Sequence, residues 1–467
     1  MPIKLMMYGD AGMRTGFERV FRGIGEHLHK TGHYDVIGVG LGYDGSPDYS
    51  YPFPVWPAMK RPGDYFGLDT FKAMCEKHKP DLIWCVQDVW NHLQYMVTKP
   101  IEIPYVGYFP VDTPNLKWSH ANAFGAMSQP VAYTKFGAQE AAAAVRHAVD
   151  IMAEGAVLKE LSLDEPRQFV SLPHPETSDR LHLRLDYLAR WSNLENWPVI
   201  PHGLDRSCFF PIDKVAARKE FGIEEDVFIV GCINTNQFRK RHDTAMRMFA
   251  VLADKVPNAR LLIYANGNNE SGLDLHQAAA YLNIHNKCYF LHDQVQEISN
   301  EDLNTLYNCC DVMINTSGGE GWGLPAMEGA ACGIPQIVPD WSATREIWQD
   351  SGILLPVLDW RQEVRHLNTC HAILNVKDGA QKLIELAESE TVREKWGQKA
   401  KALAEIQPSW SEVGVMFERT FRRTLGVFSP PEKLSFNDVI NTRKGVVESE
   451  LRGAWYLEDG KPVKSQK

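Results

Sequence analysis

Val312-Met313-Ile314-Asn315-Thr316-Ser317-Gly318-Gly319-Glu320-Gly321-Trp322-Gly323-Leu324-Pro325-Ala326-Met327-Glu328-Gly329 runs from an apolar stretch, through glycines, into a helical pattern. Val312–Asn315 reads as a buried strand. Pro325 to Cys332, closed by Gly333, reads as a short helix with proline in its first turn. A strand feeding a helix through glycines leaves backbone N–H groups and the positive end of a helix dipole facing one spot, which suits an anion or a sugar hydroxyl. The glycine spacing fits neither the Walker A loop nor the dinucleotide fingerprint. Two carboxylates, Glu320 before the helix and Glu328 about one turn inside it, can face a single ligand lying across the turn.

The same alternation of apolar runs and amphipathic stretches extends through the chain. Ile3–Tyr8, Asp35–Gly40, Asp81–Val86, Pro104–Phe109 and Pro130–Tyr133 read as strands, with helical patterns at Gly16–Lys30, Leu68–His78 and Phe136–Ala148. The second half repeats it, with strands at Val227–Cys232, Arg260–Ala265, Lys287–Leu291, Asp311–Asn315, Gln336–Pro339 and Gly352–Leu355. Its helices fall at His242–Lys255, Gly272–Leu282, Asn300–Cys309 and Ala380–Glu388. Such alternation predicts βαβ units and two doubly wound parallel sheets, with ligands at the strands' carboxyl ends. The length of 467 residues supports two domains with a terminal extension.

Arg180, Arg184 and Arg190 lie among leucines in 150–197, which reads as a largely helical insertion. Tyr43–Asp64, rich in Pro, Gly, Tyr and Asp, reads as an irregular excursion. Beyond Ser429 periodicity fades into a polar, extended tail. The expected domains are 1–198, 199–408, a final helix at 409–428 crossing back to the first, and a tail at 429–467.

A net charge of −10 argues against a protein that coats nucleic acid or anionic membrane, while leaving room for a local basic patch. The nine cysteines show no paired C-x-x-C spacing, which favours buried thiols in a reducing compartment. The N-terminal apolar stretch is too short for a signal peptide, and no run approaches the ~18 apolar residues of a membrane span. A cytoplasmic location is the expectation.

The turn resembles the E-x7-E motif of family 4 glycosyltransferases, and three further segments agree with it in order. Val199-Ile200-Pro201-His202-Gly203-Leu204-Asp205 with Phe210-Pro211 is similar to the entry into their second domain. Val227 to Gly231 followed by Arg239-Lys240 is similar to their first strand and basic phosphate loop. Leu303, Leu306-Tyr307 and Asp311-Val312 match the helix and strand leading into the turn. The resemblance is dense from Val199 to Glu346. It implies the GT-B fold, an α/β architecture of two facing Rossmann-like domains with a cleft between them.

It also implies site residues. Glu320 would hold the donor sugar, and Glu328 would accept from a ribose hydroxyl. The amides of Gly321, Trp322, Gly323 and Leu324 would line the sugar and the distal phosphate. Carboxylates suit vicinal hydroxyls because each oxygen accepts. Arg239 and Lys240 would stabilise charge on the departing diphosphate, more in the transition state than before it. The family places an Arg just after the glycine ending this strand. Asn234 stands there in this chain, and Arg239 is the candidate substitute. In Gly9-Asp10-Ala11-Gly12-Met13-Arg14-Thr15-Gly16, Gly12 is the candidate for close backbone approach to the diphosphate. Asp112, in Tyr108-Phe109-Pro110-Val111-Asp112-Thr113-Pro114, would orient or deprotonate the acceptor hydroxyl, with turn capping as its ordinary alternative. His120 and Gln87-Asp88 are further candidates.

The chain has no D-x-D triplet, the metal-holding motif of fold-A glycosyltransferases. With the phosphate neutralised by side chains, the expectation is no metal and no cofactor beyond a UDP- or GDP-linked donor substrate. The resemblance implies a retaining transfer to an acceptor hydroxyl. The acceptor class stays open among lipid, glycan, protein, small molecule and a modified nucleobase in DNA. Two other readings fit the same motifs: a nucleotide-sugar 2-epimerase, and a non-catalytic transferase-like scaffold.

Overall fold

The computed structural model describes residues 1–13, 15–46, 49–59, 64, 66–98, 103–154, 169–173, 180–265, 272–291, 298–362, 369–427, 455–458 and 461–464. The chain divides into two compact units. The first comprises Met1–Gly203, Arg365–Thr369 and Trp410–Lys467, and the second Leu204–Val364 and Cys370–Ser409.

The first unit is built on six parallel strands, β1 (Ile3–Asp10), β2 (Tyr34–Leu41), β3 (Val55–Pro57), β4 (Leu82–Val86), β5 (Tyr105–Phe109) and β6 (Gln129–Ala132). They lie in the order β3-β2-β1-β4-β5-β6, so the winding reverses between β1 and β4. Helices α1 (Gly16–Thr31), α2 (Leu68–His78), α3 (Val89–Thr98), α4 (Trp118–Ala121) and α5 (Lys135–Glu154) make the connections. Helix α1 starts where the Thr15 hydroxyl accepts from the Glu18 amide and stops at left-handed Gly32. Both faces of β4 and β5 are covered, which is why all ten of their residues are buried and read as unbroken apolar runs.

The segment 150–197 departs from the helical expectation. Helix α5 continues to Glu154, and strands β7 (Phe169–Pro173) and β8 (Arg180–Arg184) then pair as an antiparallel hairpin before α6 (Leu185–Trp191). The cause is visible in Arg180-Leu181-His182-Leu183-Arg184, where polar and apolar residues alternate with the period of a strand. Residues 155–168 and 174–179 of that segment lie outside the described residues, as do 47–48 and 60–63 of the Tyr43–Asp64 excursion.

The second unit repeats the winding. Strands β9 (Phe228–Ile233), β10 (Ala259–Tyr264), β11 (Cys288–Phe290), β12 (Val312–Ile314), β13 (Gln336–Pro339) and β14 (Ile353–Leu355) form a parallel sheet ordered β11-β10-β9-β12-β13-β14. Its reversal falls between β9 and β12. Alternate residues feed opposite cores: Ile229, Leu262, Met313 and Val338 pack on one face, and Val230, Leu261, Val312 and Ile337 on the other. Helices α7 (Lys214–Glu220), α8 (His242–Lys255), α9 (Leu275–Tyr281), α10 (Asn300–Asn308), α11 (Leu324–Ala331), α12 (Ser342–Trp348), α13 (Val376–Glu388) and α14 (Glu390–Glu405) surround the sheet. A short antiparallel pair, β15 (Val357–Gln362) and β16 (Cys370–Leu374), lies beside it.

The last helix among the described residues, α15 (Trp410–Val427), belongs to the first unit. Trp410 fills the space a Cβ would need at Gly23 and Gly203, and the Phe417 ring meets Trp84 and Tyr108 at 5.5 and 4.9 Å. Residues 428–454 of the tail lie outside the described residues, and within the remainder β17 (Trp455–Glu458) pairs antiparallel with β18 (Lys461–Lys464). All nine cysteines carry free thiols, seven of them buried. Among the described residues no helix is long and apolar enough to cross a membrane.

Candidate active site

In the second unit the loops leaving β9 and β12 emerge side by side, because these two strands pair directly, Val312 opposite Val230 and Met313 opposite Gly231. They flank the reversal of strand order, where an open α/β sheet leaves a crevice at its carboxyl end. The first loop brings Arg239 and Lys240 on a single 3-10 turn, closed by Arg241 in the left-handed region (φ 52°). The second brings Glu320.

These three side chains meet. Lys240 Nζ donates to both Glu320 oxygens at 2.7 and 2.9 Å, and Arg239 Nη1 reaches Oε2 at 3.3 Å. Asn315 Nδ2 adds a contact to Oε1 at 3.3 Å. Glu320 is 4% exposed. Burial alone would raise its carboxyl, but the charge of Lys240, then that of Arg239, and the hydrogen bonds from Lys240 and Asn315 outweigh it and bring it down to about 2. Glu320 is therefore an acceptor-only carboxylate at physiological pH. Two cations around one anion leave the cluster net positive.

The backbone of the two loops is locked as well. The Gly318 amide donates to the Arg239 carbonyl at 2.7 Å, and the Thr316 hydroxyl donates to the Arg241 carbonyl at 2.8 Å. Ser342 Oγ accepts from the Glu320 amide at 3.1 Å. Ser342 has φ 48°, a left-handed conformation that costs an L-residue about 1–2 kcal/mol, and the bond to Glu320 explains what that strain secures. Gly323, at φ 93°, turns the chain into α11 with open space where a Cβ would lie, so its backbone angle rather than crowding calls for glycine. Among the described residues the amides of Gly321, Gly323 and Leu324 form no hydrogen bond within the protein. Trp322 is buried beside them.

Glu328 sits inside α11, 2% exposed, and accepts from the Tyr307 hydroxyl at 2.6 Å. Asn234, at the position where an Arg was expected, is half-buried, and its side chain caps the Thr235 amide at 3.2 Å.

In the first unit Gly12 and Gln87 follow β1 and β4, the strands at that sheet's own reversal. Gln87 Nε2 and the Thr15 hydroxyl both donate to Asp10, at 2.7 and 3.0 Å. Burial raises the Asp10 carboxyl, against the pull of the Thr15 and Gln87 hydrogen bonds. Gly12 is left-handed at φ 67°, with Tyr43 2.6 Å from where a Cβ would stand. Its amide donates to Tyr51 Oη at 2.9 Å, and that hydroxyl donates in turn to Glu18 Oε1 at 2.9 Å. Arg22 completes the chain, 2.8 Å from Glu18 and stacked 4.2 Å over the Tyr51 ring. Asp112 is half-buried beyond β5. His120 is 6% exposed, with burial and then the Lys117 charge lowering its imidazole to about 4, so it is neutral at physiological pH.

Asn315, Ser342, Tyr307 and Tyr51 were not singled out as site residues by the sequence. Each reaches its partner through the fold rather than through a local sequence pattern.

Residues 213–403 match the model of the family described as glycosyl transferases group 1. A D-inositol 3-phosphate glycosyltransferase from Mycobacteroides abscessus is 32% identical over 178 residues, covering 36% of this chain and 38% of the relative. The same enzyme from Stackebrandtia nassauensis is 33% identical over 147 residues, covering 30% and 32%. The chain thus spans well under half the length of the curated relatives it matches. Among solved structures, Anabaena HepE in complex with UDP-glucose aligns with TM-score 0.63 at 15% identity, covering 90% of this chain and 100% of that one. Sucrose-phosphate synthase from Thermosynechococcus elongatus aligns with TM-score 0.62 at 14% identity, covering 91% and 99%. At such identities these likenesses speak for the fold, and the fold they share with this chain is GT-B. The stretch 213–403, which contains Arg239, Lys240, Glu320 and Glu328, is a domain of the glycosyl transferases group 1 family.

Proposed function

We propose that this chain is a retaining glycosyltransferase that moves a sugar from a UDP- or GDP-linked donor to an acceptor hydroxyl. The observation that carries this reading is the buried, ionised Glu320 clasped by Lys240 and Arg239 at a glycine turn, inside the segment that matches the family. The solved complex of HepE with UDP-glucose supports a nucleotide sugar as the donor class.

In this reading a carboxylate without protons accepts hydrogen bonds from the donor's sugar hydroxyls, aided by the amides of Gly321, Trp322, Gly323 and Leu324. The net positive cluster receives the diphosphate. Lys240 and Arg239 shift part of their contact from Glu320 to the phosphate oxygens as the glycosidic bond breaks and charge builds there. Glu328, oriented by Tyr307, takes a ribose hydroxyl. Asp112 is assigned to the acceptor hydroxyl and Gly12 to the diphosphate, and Tyr51 must release the Gly12 amide for that contact.

The test is nucleotide diphosphate release from a panel of UDP- and GDP-sugars, with and without added acceptors, for the parent, Glu320→Ala and Lys240→Ala. Both variants are expected to lose activity, and release is expected to require an acceptor. Full activity in both variants would overturn the site assignment. Conversion of the nucleotide sugar with no acceptor present would identify an epimerase instead.

A further inference from the structure

A small cavity of about 100 Å³ lies in the first unit, at the amino end of its sheet, lined among others by Gln129, Arg190, Glu195, Asn196, Thr420 and Arg423. Gln129 opens β6, so the cavity faces away from the carboxyl ends where the proposed substrate residues of this unit lie. Arg190 comes from the last turn of α6 and Arg423 from α15, two helices about two hundred residues apart in the chain.

The charges here are unusual. Among the described residues neither guanidinium forms an ion pair, although Arg190 is half-buried with its guanidinium 4.7 Å over the Trp191 ring. Burial lowers the Arg190 guanidinium, and the charge of Arg423 adds to that lowering, as expected for two guanidinium groups that line one cavity. Like charges are normally kept apart on a surface, and an anion between them removes the repulsion. Guanidinium forks match phosphate oxygens two at a time. Asn196 Nδ2, which donates one hydrogen to the Arg190 carbonyl at 2.9 Å, has a second to offer, whereas the Thr420 hydroxyl is spent on the Met416 carbonyl at 3.0 Å; exposed Glu195 is a carboxylate suited to accept from a hydroxyl. The cavity is well below the ~300–1,000 Å³ of a site that engulfs a whole ligand, so it admits a phosphoryl group with the rest of the molecule outside.

We propose that Arg190 and Arg423 form a binding site for the phosphoryl group of a small hydroxylated phosphate monoester, bridging α6 and the C-terminal helix α15. A ligand there ties α15 to the body of the first unit, so occupancy is read as stability as well as binding.

The experiment uses the full chain carrying Lys240→Ala, which removes the proposed donor-phosphate contact elsewhere. Binding of inorganic phosphate and of glucose 6-phosphate is measured by calorimetry and by thermal unfolding, against sodium chloride at matched ionic strength. The expected result is saturable binding with a rise in Tm, glucose 6-phosphate binding more tightly than inorganic phosphate. Arg423→Gln and Arg190→Gln should each weaken it at least tenfold. Arg423 is exposed, so Arg423→Gln is expected to keep the Tm of its parent when no phosphate is present. A Tm rise matched by chloride, or unchanged affinity in both arginine variants, overturns the site. Equal or tighter binding of inorganic phosphate overturns the monoester assignment.

Discussion

The two ends of β12 each carry a buried carboxylate held by an arginine and a lysine. Asp311, just before the strand, accepts from Arg218 Nη2 at 2.7 Å and from Lys214 Nζ at 2.6 Å. Glu320, beyond its other end, accepts from Lys240 and Arg239. The difference lies in what holds the partners. Asp311 also takes the Ile229 amide of β9 at 2.7 Å, and both its cations sit on helix α7, so the cluster is pinned by regular structure. Among the described residues the Glu320 carboxylate takes its hydrogen bonds from side chains only, those of Arg239, Lys240 and Asn315 at the carboxyl ends of β9 and β12. An ion cluster fixed by backbone welds a helix to a sheet. One held only by side chains on loops is able to trade partners with a ligand.

Removing the Asp311 carboxylate strands two cations near a buried backbone amide. Asp311→Ala is expected to lower unfolding stability in urea by about 3–5 kcal/mol. Lys240→Ala is expected to lower kcat for nucleotide diphosphate release by ~10²–10³, while its urea midpoint moves far less than that of Asp311→Ala. If the two variants exchange these phenotypes, the comparison fails.

The third expectation concerns pH. The Glu320 carboxyl lies at about 2 in the folded chain against an ordinary 4.5, so its ionised form favours folding above about 4.5 and that contribution is lost as pH falls toward 2. The stability gap between the parent and Glu320→Gln should therefore narrow between those values. A gap that stays constant would show that the cations do not act through its charge. The smallest effect belongs to Lys214→Ala. Its side chain is 43% exposed, and an exposed ion pair contributes about 0–1 kcal/mol. A loss as large as that of Asp311→Ala would place the weight of the cluster on Lys214 rather than on Arg218.

The repeated alternation of strand and helix was legible because both sheets bury their two faces, so strands appear as unbroken apolar runs such as Leu82–Val86 and Val312–Ile314. The glycine turn was legible because a left-handed residue at Gly323 and a proline in the first turn of α11 are local requirements. The hairpin at Phe169–Pro173 and Arg180–Arg184 was missed because charged arginines among leucines also fit a helix, and only the two-residue alternation in the second strand told against it. The contacts of Tyr307 with Glu328 and of Tyr51 with Gly12 join residues 21 and 39 positions apart, and no local pattern encodes which tyrosine meets which partner.

Helix α15 has a consequence for how the protein is made. The first unit is interrupted: its chain leaves at Gly203 and, apart from Arg365–Thr369, returns at Trp410. At about 5–20 residues per second, a ribosome takes roughly 10–40 s to deliver the intervening stretch. For that time Gly23 and Gly203 face an empty slot where Trp410 belongs, and Trp84 and Tyr108 lack the cover of Phe417. The second unit, continuous over most of its length, completes its sheet before the first is closed. For that interval of its synthesis the nascent protein carries an open apolar seam, and α15 is the helix that seals it.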